Sequence, residues 1–310
     1  MKINLANIKK AKKLLNKSEC VAIPTETVYG LAGNAYSDLA CKKIYKLKKR
    51  PKNNPLIVHY YNTHDLKKDC KFNNTFFKLY KKFCPGPITF ILKKKLNSKI
   101  SKLATARKNT VAVRIPKHYI ARKLLKILKT PLAAPSANVS SKLSPTSSYD
   151  VVDEFKNKIK FILDGGRSKI GLESTIVDLT NDVKILRPGF ITPQKISKIL
   201  NKKVKINTKI RKIKSPGQLK LHYSPGIPIK INTKISKKNE AVIGFGKRFK
   251  IKKNHFNLSK NGNLNEAANN LYKTLRKIKK NGFKSIVVNK IPNTGIGLAI
   301  NDRLKRASNK

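Results

Sequence analysis

The chain has 310 residues, of which 39% are hydrophobic, so it is too apolar to be disordered and long enough for two domains. Its four cysteines show no C-x-x-C or metal-ligand spacing, which excludes paired zinc fingers and indicates reduced thiols in a cytoplasmic protein. The formal charge of +56 comes from 60 lysines and only 11 arginines; because AT-rich genomes over-use lysine, it predicts only weak, salt-dependent attraction to polyanions such as ATP or tRNA.

The first two thirds of the chain alternate between strand-like and helix-like patterns. Residues 1–19 are lysine-rich with leucine and isoleucine at helical spacing, which predicts an amphipathic helix of the mature fold, and no stretch approaches the roughly 20 apolar residues of a membrane span. Strands are predicted at 20–23, 56–60, 88–92, 111–115, 132–134, 160–163, 175–179 and 184–186. Helices are predicted at 8–17, 38–48, 74–83, 119–129, 148–157 and 192–200. This alternation indicates an α/β fold with a mixed sheet.

The last third begins with a break in periodicity. Residues 201–214 are highly basic, and two Ser-Pro-Gly turns, at 215–217 and 224–226, then bracket a short segment that we interpret as an ordered linker. Strands at 228–231, 241–245 and 285–288 and helices at 264–280 and 296–307 predict a smaller Rossmann-like α/β domain. We therefore expect domains at 1–205 and 228–310, with residues 206–227 as a linker or lid over the active site.

Two polar clusters follow predicted elements and suit a phosphate-bearing ligand. Lys48 ends the predicted helix at 38–48, and Arg50 follows it. The lysine ammonium supplies a compact positive charge, and the arginine guanidinium supplies a planar group that can donate two parallel hydrogen bonds. Ser136 and Asn138 follow the apolar run 131–135, at the kind of strand end where α/β sheets hold ligands. Together the clusters predict a polyphosphate site.

Further polar residues lie at other strand boundaries. The segment 24–31, Pro-Thr-Glu-Thr-Val-Tyr-Gly-Leu, leaves a strand with two hydroxyls and a carboxylate, and taken alone it also fits the cap of a following helix. Arg114 closes a buried strand, so its guanidinium needs a carboxylate partner from the protein or from a ligand. Arg187 ends another strand before a turn, where a surface ion pair is the simpler explanation.

In this order, the segments resemble the YrdC-like family of threonylcarbamoyl-adenylate synthases, in its long two-domain form. The resemblance runs from about residue 20 to residue 188, including the K-x-R and S-x-N pair. It continues through the linker at 215–225 and reaches 291–295 and 297–304 in the second domain.

The resemblance implies roles for individual residues. It places L-threonine on Thr27, His59, Arg114, Ala134 and Ser174, with Arg114 facing its carboxylate. It places ATP on Arg50, Asn54, Thr110, Ser136, Ser144 and Arg187, with His222 or Tyr223 of the linker closing over the nucleotide. Lys48, Arg50, Ser136 and Asn138 form the catalytic set around the phosphates and the carbamate. Glu26 and Glu173, next to Thr27 and Ser174 in the sequence, are candidates for an auxiliary role in the same site.

The resemblance also implies a reaction. L-threonine captures bicarbonate as a carbamate, which attacks the α-phosphate of ATP to give threonylcarbamoyl-AMP and pyrophosphate. Mg²⁺ accompanies the ATP, held largely by phosphate oxygens and water, and a separate transferase uses the product to modify adenosine in tRNA. The sequence has no G-x-x-x-x-G-K-[ST] loop, so scattered side chains must hold the phosphates.

Two other functions are compatible with parts of the sequence. An RNA-binding protein could use a basic concave face of the same fold, but hydroxyl-rich loops and isolated strand-end arginines favour a small-ligand pocket. A carbamoyltransferase could contain a related domain, but such enzymes carry additional acylphosphatase-like and zinc-finger modules, and the four cysteines here cannot form paired C-x-x-C fingers.

Overall fold

In a computed structural model, the described residues are 4–207, 215–217, 221–233, 239–250 and 252–309. We call residues 4–207 the N-terminal lobe. Its strands are β1 (Val21–Ile23), β2 (Gly30–Asn34), β3 (Ile57–His59), β4 (Ile88–Lys93), β5 (Thr110–Arg114), β6 (Leu132–Ala133), β7 (Phe161–Ile162), β8 (Thr175–Asp178) and β9 (Lys184–Arg187). Its helices are α1 (Leu5–Asn16), α2 (Asp38–Lys48), α3 (Thr63–Asp69), α4 (Asn74–Phe83), α5 (Tyr119–Leu128), α6 (Ser148–Phe155) and α7 (Pro193–Leu200).

The strands of the N-terminal lobe form one nine-stranded sheet in the order β7-β1-β2-β6-β3-β5-β4-β8-β9. The neighbours β1 and β7, β3 and β5, and β4 and β8 run parallel, and the other neighbours run antiparallel. A mixed sheet of this kind confirms the predicted fold class for the first part of the chain.

The described residues from 228 to 309 form a second, smaller unit, which we call the C-terminal lobe. It contains β10 (Ile229–Ile231), β11 (Glu240–Gly244), β12 (His255–Asn257), β13 (Ser285–Val288), α8 (Leu264–Lys280) and α9 (Gly297–Ser308). The four strands lie in the order β10-β13-β11-β12, and every described pair is parallel. The predicted smaller α/β unit is therefore confirmed, while the domain boundaries at 205 and 228 stay predictions.

Local sequence signals explain where α2 and α6 begin and where α2 ends. The Ser37 side chain accepts from the backbone N–H of Ala40 and caps α2, and Lys49 takes a left-handed conformation that stops the helix. Ser147 and Asp150 form a reciprocal capping box at the start of α6. Arg50 follows this stop, and its backbone N–H donates to the carbonyl oxygen of Tyr45 at 3.0 Å.

Most predicted elements are confirmed, several with the predicted bounds, as for α2, α4, α8 and β13. The helix-cap interpretation of the segment 24–31 is wrong: Gly30–Asn34 is strand β2, paired antiparallel with β1 and β6. The sequence patterns also miss α3 and the short β12. No helix among the described residues is long and apolar enough to cross a membrane.

The linker connects the two lobes through a shared apolar cluster. Tyr223 is fully buried and packs in one cluster with Val28, Leu143 and Leu172 of the N-terminal lobe and with α8 residues such as Leu271. The predicted segment between the two Ser-Pro-Gly turns is described only in part, because residues 218–220 lie outside the described ranges, as do residues 208–214 of the basic stretch.

Candidate active site

A cavity lined by polar side chains lies where several strands of the large sheet begin or end. His59 ends β3 and Arg114 ends the parallel neighbour β5, where the two residues pair across the strands. Strand β8 runs opposite to β5, so Ser174, just before its start, reaches the same end of the sheet, and so does Arg187 at the end of β9. Of the predicted site residues, those lining this cavity are Thr27, Arg50, His59, Arg114, Ala134, Ser136, Ser174, Arg187, His222 and Tyr223.

Arg114 is buried and held by the N-terminal lobe itself. One terminal nitrogen lies 2.7 Å from Oε1 of Glu26, and the other donates to Oγ1 of Thr27 at 2.8 Å. Its Nε donates to the carbonyl oxygen of Gly86 at 3.3 Å. A guanidinium has five N–H groups, so two remain for a ligand carboxylate. The sequence left open whether the carboxylate partner of Arg114 belongs to the protein or to a ligand, and in the structure Glu26 supplies one.

His59 faces the cavity beside Arg114. Neither of its ring nitrogens has a hydrogen-bond partner in suitable geometry among the described residues, although both atoms are buried. Burial, reinforced by the nearby Arg114 guanidinium, holds the pKa of His59 well below its ordinary value. The ring is therefore neutral at neutral pH and offers a ligand one donor and one acceptor.

Arg50 is also buried, but uncharged groups hold it. Its Nε donates to the carbonyl oxygen of Asn54 at 2.9 Å, and one terminal nitrogen donates to Oδ1 of Asn54 at 2.6 Å and to the carbonyl oxygen of Pro55 at 2.8 Å. Burial lowers the pKa of the Arg50 guanidinium to about 10, so it stays charged. Asn54 does not line the cavity; it fixes the orientation of Arg50.

Arg187 repeats this arrangement on the other side of the cavity. Its Nε and one terminal nitrogen donate to the carbonyl oxygen of Ser174 at 3.1 and 2.9 Å, and the same terminal nitrogen donates to Oγ of Ser174 at 3.2 Å. Within the described ranges, neither Arg50 nor Arg187 lies within ion-pair distance of a carboxylate. The cavity thus contains two buried positive charges that no described acidic group neutralises at contact.

Lys48 and Asn138 lie behind the cavity wall, where they fix the loop that carries Ser136. The Lys48 Nζ donates to the carbonyl oxygen of Ser136 at 2.6 Å and to that of Asn138. The Asn138 side chain donates to the carbonyl oxygens of Val139 and Lys142 at 2.8 and 2.9 Å. Lys48 therefore connects the K-x-R segment to the S-x-N segment. Of the four residues predicted as catalytic, only Arg50 and Ser136 line the cavity, and Lys48 and Asn138 do not.

Two further predicted residues lie outside the cavity lining. Thr110 begins β5, four residues before Arg114, which places it roughly 13 Å away along the strand. Ser144 is fully buried and donates to Oε1 of Glu173 at 2.5 Å. Neither Thr110 nor Ser144 lines the cavity, and their assignment to ATP stays a prediction.

The linker covers the cavity with an aromatic pair. His222 and Tyr223 both line it, and their ring centroids lie 3.9 Å apart. Burial lowers the pKa of His222 well below its ordinary value. Since both residues line the cavity, the choice between them for the nucleotide contact stays open.

Sequence reasoning gave no firm role to two acids and overlooked two residues of the C-terminal lobe. Glu26 and Glu173 lie next to Thr27 and Ser174 and each pairs with a buried arginine. The arginine beside Glu173 is Arg303 of α9, and Tyr272 of α8 also donates to Glu173. Within the described ranges, no group of three His, Cys, Asp or Glu side chains is placed to hold a metal ion.

The fold and the cavity define a YrdC-like lobe joined to a small parallel α/β lobe, and family models agree with that division. Residues 13–189 match the Sua5, YciO and YrdC family model, described as telomere recombination. Residues 191–309 match the model described as the threonylcarbamoyl-AMP synthase C-terminal domain.

Individual relatives match over nearly the whole chain. Threonylcarbamoyl-AMP synthase of Pyrococcus abyssi is 35% identical over 97% of this chain and 94% of its own length. The Bacillus subtilis protein of the same name is also 35% identical, over 98% of this chain and 94% of its own. The crystal structure of Pyrococcus abyssi Sua5 complexed with L-threonine superposes with a TM-score of 0.91, at 34% identity, covering 99% of this chain and 96% of that one. The chain belongs to the threonylcarbamoyl-AMP synthase family, in its long two-domain form.

Proposed function

We propose that this protein joins L-threonine, bicarbonate and ATP to form threonylcarbamoyl-AMP and pyrophosphate, which makes it a nucleotidyltransferase. Relatives that match almost the full chain carry the name of this activity, and the similar Pyrococcus abyssi structure holds L-threonine. The residues that the family resemblance assigns to the two substrates support the same reaction, because they line one cavity.

The observation that carries the proposal is the contrast between the arginines of the cavity. Arg114 is paired with Glu26, so it can orient an amino-acid carboxylate through its remaining N–H groups without adding a full net charge. Arg50 and Arg187 are buried without a carboxylate in contact among the described residues. Two such charges are costly unless a polyanion joins them, and the triphosphate of ATP is that polyanion.

The chemistry needs positioning and charge neutralisation and no covalent enzyme intermediate. The amine of L-threonine attacks bicarbonate and loses water to give a carbamate. A carbamate oxygen then attacks the α-phosphorus in line, and the bond to the β-phosphate oxygen breaks so that pyrophosphate leaves with the bonding electrons. Arg50 and Arg187 stabilise the charge that develops on the phosphate oxygens. Neutral His59 supplies hydrogen bonds to L-threonine beside Arg114.

Mg²⁺ enters this scheme as part of the MgATP substrate. Because the described residues offer no cluster of three metal-ligating side chains, phosphate oxygens and water would supply most of its ligands, which is the usual mode for this ion. The product is a mixed anhydride of carbamic and phosphoric acids. We infer that a separate transferase consumes it to modify adenosine in tRNA, and that direct contact of this chain with tRNA is weak and non-specific.

Pyrophosphate release tests the proposal directly. We expect release from MgATP to depend on both L-threonine and bicarbonate, and mass spectrometry of the quenched reaction to detect threonylcarbamoyl-AMP. Release that is unaffected by omitting L-threonine, with no mixed anhydride formed, would overturn it. Binding of RNA with sequence preference and without nucleotide turnover would favour the RNA-binding alternative instead.

A further inference from the structure

The carboxylate of Glu173 is held by both lobes at once. From the N-terminal lobe, Ser144 Oγ donates to Oε1 at 2.5 Å. From the C-terminal lobe, the Tyr272 hydroxyl lies 3.1 Å from each carboxylate oxygen, and Arg303 Nε donates to Oε2 at 2.9 Å. All four side chains are buried. Four hydrogen bonds from three buried side chains converge on this carboxylate, and in a low-dielectric interior they fix its position.

Arg303 also reaches the linker that covers the cavity. Its side chain is fully buried, one terminal nitrogen lies 2.6 Å from Oδ2 of Asp302, and the guanidinium carbon lies 4.9 Å from the ring centroid of Tyr223. The Tyr223 and Tyr272 rings stack with centroids 6.0 Å apart. The same residues of α8 and α9 therefore support both Glu173 and one of the two aromatic residues over the cavity.

Glu173 is directly connected to the residues that line the cavity. It precedes Ser174, whose carbonyl oxygen accepts two hydrogen bonds from Arg187. Glu173 itself lines the cavity. A shift of its carboxylate would therefore move the main chain that holds Arg187 in place.

The charge of Glu173 matters as much as its position. Burial opposes ionisation, but the guanidinium groups of Arg303 and Arg187 outweigh it and lower the pKa of Glu173 to about 2, so the carboxylate is charged. An unpaired carboxylate at this place would repel phosphate and would attract Arg187 away from it. Pairing with Arg303, a cation from the other lobe, avoids both effects.

We propose that Arg303 and Tyr272 are positioning residues for the ATP site, which act by holding and neutralising Glu173 so that Arg187 stays available to phosphate. This inference rests on the proposed function, because it takes the cavity to bind ATP. It gives the C-terminal lobe a part in the substrate site beyond carrying the linker.

The test compares three variants by calorimetric titration with MgATP, without L-threonine or bicarbonate so that no turnover occurs. Arg303→Met should raise the Kd for ATP roughly tenfold, because the Glu173 charge is then free to compete for Arg187. The double variant Glu173→Gln/Arg303→Met should bring the Kd back to within about threefold of wild type. Arg306→Met, which removes an arginine one turn further along α9 that pairs with Asp302, is the matched control and should bind ATP as wild type does.

Rescue by a second substitution separates this role from a purely structural one, since lost packing at Arg303 would not be repaired by changing Glu173. If Arg303→Met does not fold, Tyr272→Phe keeps the ring and removes one donor to the carboxylate; it should raise the Kd several-fold in the wild type and not in a Glu173→Gln background. An unchanged Kd in folded Arg303→Met or in Tyr272→Phe, or a double variant no better than the single one, would overturn the inference. Absence of threonine-dependent pyrophosphate release from wild type would overturn the proposed function alone, because ATP binding remains measurable.

Discussion

Glu26 and Arg114, 88 residues apart in the chain, form a buried ion pair at 2.7 Å, and Arg114 lines the cavity. The second oxygen of Glu26 accepts from the backbone N–H groups of Lys117 and His118 at 3.0 and 3.3 Å. The carboxylate thus connects β5 to the start of α5, and it sets the orientation in which Arg114 meets a ligand.

Replacing Glu26 by glutamine should destabilise the unliganded protein and increase its response to L-threonine. The buried Arg114 charge loses its partner, which costs about 3 kcal/mol in the free energy of unfolding. Because the carboxylate of bound L-threonine can take over part of this pairing, saturating L-threonine should raise the melting temperature of Glu26→Gln more than that of wild type. Differential scanning fluorimetry with and without L-threonine measures both effects.

The matched control for this experiment is Glu19→Gln. Glu19 pairs with Lys43 and Lys160 at the surface, so its loss should cost less than about 1 kcal/mol and leave the L-threonine response unchanged. Equal thermal shifts in the wild type and in Glu26→Gln would show that Arg114 does not meet the threonine carboxylate.

Replacing Arg50 by alanine should abolish most of the reaction with ATP and leave the binding of L-threonine intact. We expect the rate of threonine-dependent pyrophosphate release to fall by about 100-fold or more, because the cavity loses the Arg50 charge that we propose for the phosphates. L-threonine binding, measured by calorimetry, should persist. The exposed Arg107→Ala is the control and should retain full activity; unchanged release in Arg50→Ala would remove Arg50 from the ATP site.

The low pKa of Glu173 predicts a defined acid sensitivity. Because its folded-state pKa is about 2, against 4.5 for an ordinary glutamate, the ionised carboxylate stabilises the folded state by about 3 kcal/mol above pH 4.5. This stabilisation is lost as the pH falls from about 4.5 toward 2. In urea titrations, the difference in unfolding free energy between wild type and Glu173→Gln should therefore shrink over that range. A difference that is constant from pH 6 to pH 3 would contradict the assigned pKa.

Most of the positive charge should be dispensable for catalysis. Lys273, Lys277 and Lys284 are exposed on the C-terminal lobe, and replacing all three by glutamine should change the rate of pyrophosphate release by less than roughly twofold at physiological salt, since exposed charges are screened there. A large loss of activity, or of affinity for tRNA measured by filter binding, would instead indicate that this surface recognises a polyanion.

Strands and helices whose apolar residues follow a regular periodicity could be predicted from the sequence. Strand β2 could not, for a physical reason. Its residues, Gly-Leu-Ala-Gly-Asn, have poor strand propensity, and the strand exists because β1 and β6 pair with it on both sides. Gly33 allows α2 to pack close: a Cβ there would lie 3.1 Å from Cδ1 of Ile44 and 3.2 Å from Cβ of Ala40. Such pairing is a property of the tertiary structure.

The same distinction applies to the candidate site. Arg50, Arg114 and Ser136 could be found because charges and hydroxyls at strand or helix ends stand out against apolar runs. Arg187 needed the family resemblance, because its pattern alone indicated a surface ion pair, whereas the structure buries it. The ion pair between Glu173 and Arg303 could not be predicted, because 130 residues separate the two and nothing in either local sequence distinguishes it from a surface charge. The position of Lys48 behind the cavity wall was equally hidden, since its sequence context is that of a basic helix end.

The lining of the cavity carries a chemical consequence for an enzyme that holds an activated carbamoyl group. A mixed anhydride acylates free amines, and this chain contains 60 lysines, yet none of the described residues that line the cavity is a lysine. Arginine, which is a poor nucleophile, supplies the positive charge there, and the buried amine of Lys48 donates to two main-chain carbonyl oxygens. Among the described residues, the lining therefore presents no lysine amine to the reactive product that we propose for the cavity.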